Sequence, residues 1–149
     1  MSGVEATRIL VVEDDRAVRS FLARALESGG YEPVLAPTGE EALTALQEGP
    51  PVAVALVDGV LPDMHGMRLA RRILELPGED APAICFVTGG ISESTSPVAG
   101  LAVLSKPMRL GQLLAMVAEL LTWRDGAQSP LSDRLRELER FEHAFAVGP

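Results

Sequence analysis

Short runs of branched apolar residues alternate with stretches of helical periodicity along most of the chain. The first pair is RILVV at residues 8–12, followed by DRAVRSFLARALES, where apolar side chains recur at steps of three and four. A short apolar run is typical of a strand buried on both faces, and the spacing that follows it indicates an amphipathic helix. Asp15 is expected to cap this helix, and Gly29 and Gly30 to end it.

The alternation then repeats with one irregular unit. Pro33 favours a sheet edge for the second strand, and Thr38 with Glu41 forms a capping-box pattern at the second helix. Alternation in short units favours a parallel sheet that is covered by helices on both faces. The remaining predicted strands are 31–36, 51–57, 82–88 and 101–104, and the remaining predicted helices are 38–49, 66–76 and 110–121.

The irregular unit is GGISESTSPVAG at residues 89–100, between the fourth and fifth strands. It contains three serines, three glycines and a proline, which disfavour a full helix. We expect a loop or a short, mobile helix there, and so a shortened fourth helix.

The end of the chain predicts one more helix. Residues 124–130 are a turn-rich linker between a domain at 1–123 and an amphipathic helix at 131–146. The apolar stripe of this helix has three interpretations. It folds back onto the domain, it binds a partner or a second copy, or it belongs to a disordered tail. The 25 residues after Arg124 are too few for a separate output domain. The stripe consists of Leu131, Leu135, Leu138, Phe141 and Phe145.

Composition narrows the function classes. The 149 residues fit one domain, and 13 basic against 21 acidic residues, a net charge of -8, argue against a direct nucleic-acid partner. Cys85, the single cysteine, is expected in the core of a protein from a reducing compartment. Without a signal-like start or a membrane-length apolar run, we expect a cytoplasmic protein and no membrane partner.

Candidate chemistry collects at the ends of four predicted strands. Glu13 and Asp14 follow the first strand, Asp58 ends the third, Thr88 ends the fourth and Lys106 follows the fifth. Each alone has a structural explanation, such as a helix cap or a turn. Because ligands bind beyond the carboxyl ends of parallel strands, we expect these groups to converge. Clustered carboxylates favour Mg²⁺, and a lysine and a hydroxyl complete the groups needed for phosphoryl transfer.

Four stretches in order, ILVVEDD, LVDGVLPDMHG, FVTG and VLSKP, resemble the receiver domain of bacterial two-component response regulators, of the chemotaxis-regulator-like type. The resemblance covers residues 8–121. It implies a flavodoxin-like, doubly wound α/β fold with a five-stranded parallel sheet in the order 2-1-3-4-5. It also implies a signalling protein, not an enzyme, that takes a phosphoryl group from a histidine kinase or phosphotransfer protein in a phosphorelay and changes its contacts with a downstream protein.

By the same resemblance, Asp58 is the phosphoacceptor, which would carry an aspartyl phosphate. Mg²⁺ would be bound directly by Asp14 and Asp58, through water by Glu13, and by the backbone carbonyl of Val60.

The resemblance gives roles to other loop residues as well. Thr88 matches the switch hydroxyl that moves onto the phosphoryl oxygens, and Lys106 matches the ion-pairing lysine. The bond from Lys106 to Pro107 is typically cis in this family. Pro62 and Gly66 match the turn that shapes the loop after the phosphorylation site.

Two features depart from the family pattern. The aromatic switch position is Val103, which has no ring to move between solvent and core, and residues 89–100 are short and serine-rich. We therefore expect either that phosphorylation orders the 89–100 loop or that the signal passes through another surface such as the tail. In the second case the last helix could form a homodimer.

Two other functions compete. A receiver-like interaction module that is never phosphorylated would share the fold. A haloacid-dehalogenase-like phosphatase would share the stretch VDGVL, but its nucleophilic aspartate would have to stand at Leu56.

Overall fold

A computed structural model describes residues 6–76, 81–89, 95–126 and 129–145. Within these ranges the chain alternates between strands and helices as expected, and none of the described helices has the length and apolar content needed to cross a bilayer. In chain order the elements are β1 Arg8–Val12, α1 Arg16–Ser28, β2 Glu32–Ala36, α2 Gly39–Glu48, β3 Val54–Asp58, α3 Gly66–Leu74, β4 Ala83–Thr88, β5 Leu101–Ser105, α4 Leu110–Asp125 and α5 Leu131–Phe145.

The first two helices begin at the caps that the sequence indicates. Asp15 Oδ1 accepts a hydrogen bond from the Val18 N–H at 2.9 Å, which satisfies one of the N–H groups that a helix start leaves unpaired. Thr38 Oγ1 accepts from the Glu41 N–H at 3.1 Å. The Glu41 carboxylate differs from the expected capping box, because it accepts from the Thr38 hydroxyl.

All five strands are parallel and lie in the order β2-β1-β3-β4-β5. This confirms the fold class, with β2 at an edge as Pro33 indicated. Buried side chains of α1 and α4 pack on one face of the sheet, and those of α2, α3 and α5 pack on the other. Cys85 is fully buried in β4, and burial raises the pKa of its thiol to about 12.

The irregular unit before β5 is described only in part. Residues 90–94, where a short fourth helix was expected, lie outside the described residues, and 95–100 contain no helix. Val98 pairs with Leu101 across a tight turn, in which Ala99 and Gly100 have φ of 53° and 72°. This left-handed turn brings the chain directly back into β5.

The C-terminal helix α5 folds back onto its own domain, as one of the three interpretations of the tail predicted. Leu138 is fully buried, and the Phe141 ring meets Phe86 of β4 edge to face, with centroids 5.8 Å apart. Arg71 of α3 forms an ion pair with Glu142. Since α3 and α5 lie side by side on this face, α5 covers the β4 and β5 surface that a helix between these strands would otherwise cover.

The ends of the last two helices adjust the expected boundaries. α4 continues to Asp125, so it takes up the first residues of the stretch 124–130 that was expected to be linker. Leu131, the first member of the apolar stripe, is 49% exposed. The side chain of Phe145, its last member, lies outside the described residues.

Arg134 anchors α5 to the loops that precede β4 and β5. Its guanidinium donates to four backbone carbonyls, those of Ala81 (3.3 Å), Pro82 (2.8 Å), Ala99 (2.9 Å) and Gly100 (3.2 Å). These bonds supply donors to the Pro82 and Ala99 carbonyls and tie the left-handed turn to the helix. The Gly100 carbonyl also accepts from the Ile84 N–H of β4, and the Ala81 carbonyl also accepts from Arg124.

Aromatic packing completes this anchor. The Arg134 guanidinium carbon lies 4.8 Å from the centre of the Trp123 ring, which also packs on Gly100. Burial, with the charge of Arg124 adding to it, lowers the pKa of Arg134 to about 10, so the group stays protonated at neutral pH and keeps all its donors.

Replacing Arg134 tests this anchor. We expect Arg134→Met to lower the free energy of unfolding by about 2 kcal/mol, because it removes the donor to the Pro82 and Ala99 carbonyls and one of the two donors to Ala81 and to Gly100. Arg136→Met is the control, since the Arg136 side chain is 75% exposed on the same helix. Urea denaturation of both variants is the measurement, and equal midpoints for the two would contradict the role given to Arg134.

Candidate functional site

Three carboxylates meet at the carboxyl edge of the sheet, as the sequence predicted. Glu13 and Asp14 directly follow β1 and Asp58 ends β3, and the pairing of β1 with β3 places the two strand ends side by side. Each of the three offers an oxygen within 4.8 Å of the others. Such a set of hard oxygen donors, close enough to repel one another, suits a divalent cation such as Mg²⁺.

Glu13 is the buried member and is fixed at every polar atom. Its N–H donates to the Ala36 carbonyl at 3.1 Å, one carboxylate oxygen accepts from the Asp15 N–H at 3.0 Å, and the other accepts from Lys106. Burial raises the pKa of Glu13, while the bonds from Lys106 and Asp15 oppose that rise.

Lys106 supplies positive charge to two of the acids. Its Nζ lies 2.8 Å from a Glu13 oxygen and 3.5 Å from Asp58 Oδ2. Burial works to lower the pKa of Lys106, but the bond to Glu13 and the charge of Asp58 raise it overall, so the ammonium stays charged. The bond between Lys106 and Pro107 is cis.

The loop after β3 keeps Asp58 at the carboxyl end of the strand. The Val60 N–H donates to Asp58 Oδ1 at 3.2 Å, and the Val60 side chain points outward, 66% exposed. The Gly66 N–H donates to the Gly59 carbonyl at 2.9 Å, which closes the loop. A side chain at Gly66 would collide with the Asp58 carbonyl oxygen. Pro62 lies exposed in the same loop.

Thr88 stands at the end of β4, opposite Ser105 of β5. A Cβ added at Gly59 would lie 2.7 Å from the Thr88 hydroxyl oxygen, so this hydroxyl touches the residue next to Asp58. Thr88 Oγ1 donates to the Gly89 carbonyl at 3.3 Å.

Val103, the departed switch position, does not reach this edge. It is fully buried in the core that α5 covers. Its N–H donates to the Thr95 side-chain hydroxyl at 3.0 Å, and its carbonyl accepts from the Thr95 N–H at 2.9 Å.

Two residues near the site were missed at the sequence level. Asp63, in the loop after β3, accepts from the Gly39 and Glu40 N–H groups at 2.9 and 3.0 Å. These bonds, led by that from Gly39, lower the pKa of Asp63. Arg19 of α1 donates from Nη1 to the carbonyls of Glu13 and Asp14 at 2.8 and 3.2 Å. Its place one turn after the acidic run was the available signal.

Comparison with known proteins agrees with this geometry. The family model described as "Response regulator receiver domain" matches residues 9–118. The chain is 37% identical over 118 residues to "Response regulator receiver protein CpdR" of Brucella abortus. The aligned region covers 76% of this chain and 96% of that protein. It is 38% identical over 138 residues to "Response regulator MprA" of a Mycobacterium species, covering 89% of this chain but only 58% of MprA.

Solved structures of the same kind superpose on this chain. A CheY-like response regulator receiver domain protein from Methanospirillum hungatei matches with a TM-score of 0.69 and 27% identity, over 81% of this chain and 98% of that one. A structure described as a putative response regulator from Chloroflexus aurantiacus matches with a TM-score of 0.67 and 26% identity, over 79% and 99%.

Carboxylate repulsion at the site predicts that Asp14→Asn stabilises the metal-free protein. In EDTA we expect the free energy of unfolding to rise by about 1 kcal/mol, because one of three neighbouring negative charges is removed. Glu119→Gln, which removes an exposed charge in α4, controls for the relief of net charge. Thermal unfolding of both variants is the measurement, and an equal gain in the two would contradict a specific repulsion at the site.

The close approach at Gly66 predicts a second effect. Gly66→Ala is expected to lower the free energy of unfolding by about 2 kcal/mol, because the added methyl group forces the loop away from the Asp58 carbonyl. Gly111→Ala, where the added group meets nothing within 4 Å, should be neutral or slightly stabilising. Denaturant unfolding of the pair decides the matter, and the same small effect in both would contradict the tight packing at Gly66.

Proposed function

This chain belongs to the response regulator receiver domain family, and we propose that it accepts a phosphoryl group on Asp58 from a histidine kinase or a phosphotransfer protein. In this reaction an Asp58 carboxylate oxygen bonds to phosphorus while the bond from phosphorus to the donor's histidine nitrogen breaks, and that nitrogen keeps the electron pair. The product is an aspartyl phosphate on a signalling protein that has no substrate of its own to turn over.

The surroundings of Asp58 are the observation that carries this proposal. Its side chain is 12% exposed at the strand end, beside Lys106 and within the acidic cluster. A carboxylate used only to open a turn does not require two further acids and a partly buried ion pair beside it. An accessible oxygen nucleophile next to groups that balance the charge of a phosphoryl group is what phosphoryl transfer requires.

The carboxylates of Glu13, Asp14 and Asp58 and the backbone carbonyl of Val60 would hold Mg²⁺, with Glu13 acting through water. Bound Mg²⁺ supplies positive charge that offsets the phosphoryl oxygens and the neighbouring carboxylates. Glu13 is buried and already bonded to Lys106, which supports an indirect role for it, whereas Asp14 is exposed and suits direct ligation.

Two more side chains would act on the phosphoryl group. Lys106 would pair with one phosphoryl oxygen, since its ammonium is already 3.5 Å from Asp58 Oδ2. Thr88 would turn its hydroxyl from the Gly89 carbonyl towards another oxygen, because it contacts the loop at Gly59. Pro62, Gly66 and Pro107 would keep the surrounding loops in shape.

The output would be a changed contact with a downstream protein, in the cytoplasm. Val103 is locked in the core, so the signal would reach the surface through the 89–100 segment or through α5. A homodimer through the apolar stripe of α5 would require Leu138 and Phe141 to leave the core that now buries them. The competing function is an interaction module that adopts this fold without being phosphorylated.

Mass spectrometry separates the two functions. Incubated with a small acyl phosphate and Mg²⁺, the intact protein should gain the mass of one phosphoryl group, because the Asp58 carboxylate lies beside Lys106 and the acids that would hold Mg²⁺. Asp58→Asn should gain nothing, and Asp63→Asn, which changes a nearby exposed acid, should still be labelled. The absence of a mass gain in the wild type, with a histidine phosphodonor as well, would favour the unphosphorylated module.

A further inference from the structure

Asp14 is the acid whose position depends most on the backbone. Its side chain is exposed at the edge of the sheet, whereas the neighbouring Glu13 carboxylate is held by Lys106 and by the Asp15 N–H. The direction in which the Asp14 side chain leaves the backbone is set by the two peptide groups that flank its Cα atom.

One guanidinium holds both of these peptide groups. Arg19 Nη1 donates to the Glu13 carbonyl at 2.8 Å and to the Asp14 carbonyl at 3.2 Å. The first carbonyl belongs to the peptide before Asp14 and the second to the peptide after it. Fixing both planes fixes the φ and ψ angles of Asp14, and these angles determine the direction of its Cα–Cβ bond.

Arg19 is well placed to do this because α1 is itself anchored to the same turn. The Asp15 side chain caps α1 through Val18, and the Arg19 N–H donates to the Asp15 carbonyl at 2.9 Å. The half-buried Arg19 side chain then reaches back along the helix towards its own N-terminus, the direction that helical side chains favour.

We propose that Arg19 is a positioning residue for the metal site, which aims the Asp14 carboxylate by binding the carbonyls on both sides of it. This inference rests on the proposed Mg²⁺ site. Groups that orient a ligand without touching the metal commonly change metal affinity by about tenfold or more when they are removed.

The sign of the effect distinguishes positioning from electrostatics. A positive charge near a cation site weakens cation binding. If Arg19 acted only through its charge, replacing it with a neutral residue would therefore strengthen Mg²⁺ binding. Removing it as a positioning group weakens binding, because Asp14 then samples directions from which it does not reach the ion. A general loss of stability would not change the affinity of protein that remains folded.

The test is calorimetric titration of the full chain with MgCl₂. We expect Arg19→Met, which keeps the length of the side chain without its donors, to bind Mg²⁺ about tenfold more weakly than the wild type. Arg19→Lys should fall between the two, because a shorter cation recovers part of the bonding. Arg16→Met removes an equal charge from an exposed position at the start of α1 and should bind at least as tightly as the wild type.

Amide exchange in EDTA gives a readout that needs no metal. Arg19→Met should speed exchange at the Asp15 amide, whose N–H is bonded to the Glu13 carboxylate, while leaving the central strands protected. Unchanged or tighter Mg²⁺ binding by Arg19→Met, with wild-type binding intact, would overturn the role of Arg19 and leave the proposed function standing. A wild type that does not bind Mg²⁺ would instead overturn the metal site itself, and the positioning role with it.

Discussion

Mutual repulsion among Glu13, Asp14 and Asp58, offset by a single ammonium group, is the constraint on which the rest of the structure depends. Parallel strands bring the three carboxylates within 4.8 Å of one another, and the resulting charge is unfavourable unless a cation is present. Lys106 reaches this edge from beyond β5, at the far side of the sheet from β2. The order of the strands is therefore inseparable from the charge balance of the site, and folding assembles both at once.

Much of the fold was predictable because its signals are local. Apolar runs marked the strands, and Asp15 and Thr38 marked two helix starts through side chains that bond within three residues. That the acids share one edge was also predictable, since the carboxyl ends of parallel strands lie at the same edge of a sheet. Site roles such as that of Val60 came from family resemblance, because backbone ligation does not depend on the side-chain identity that a sequence records.

Other features depend on tertiary contacts that no local pattern reports. Asp63 accepts from N–H groups at the start of α2, which lies far from Asp63 in the sequence. The residues around Asp63 give no signal that predicts this contact. The amphipathic pattern of α5 left three outcomes open, because periodicity says that a face is apolar and not what covers it. α5 finds a surface to cover because the segment between β4 and β5 is short. The short segment and the added helix, the two unusual features of this chain, are therefore complementary.

The position of α5 after β4 and β5 in chain order has a consequence for biosynthesis. Phe86 emerges from the ribosome well before Phe141, its aromatic neighbour. Until α5 leaves the ribosome, the nascent polypeptide exposes the apolar patch over β4 and β5 that this helix covers, a hazard for association with other chains. Such a protein completes this part of its core only after α5 has been translated, and termination before α5 would leave this face of the sheet unprotected.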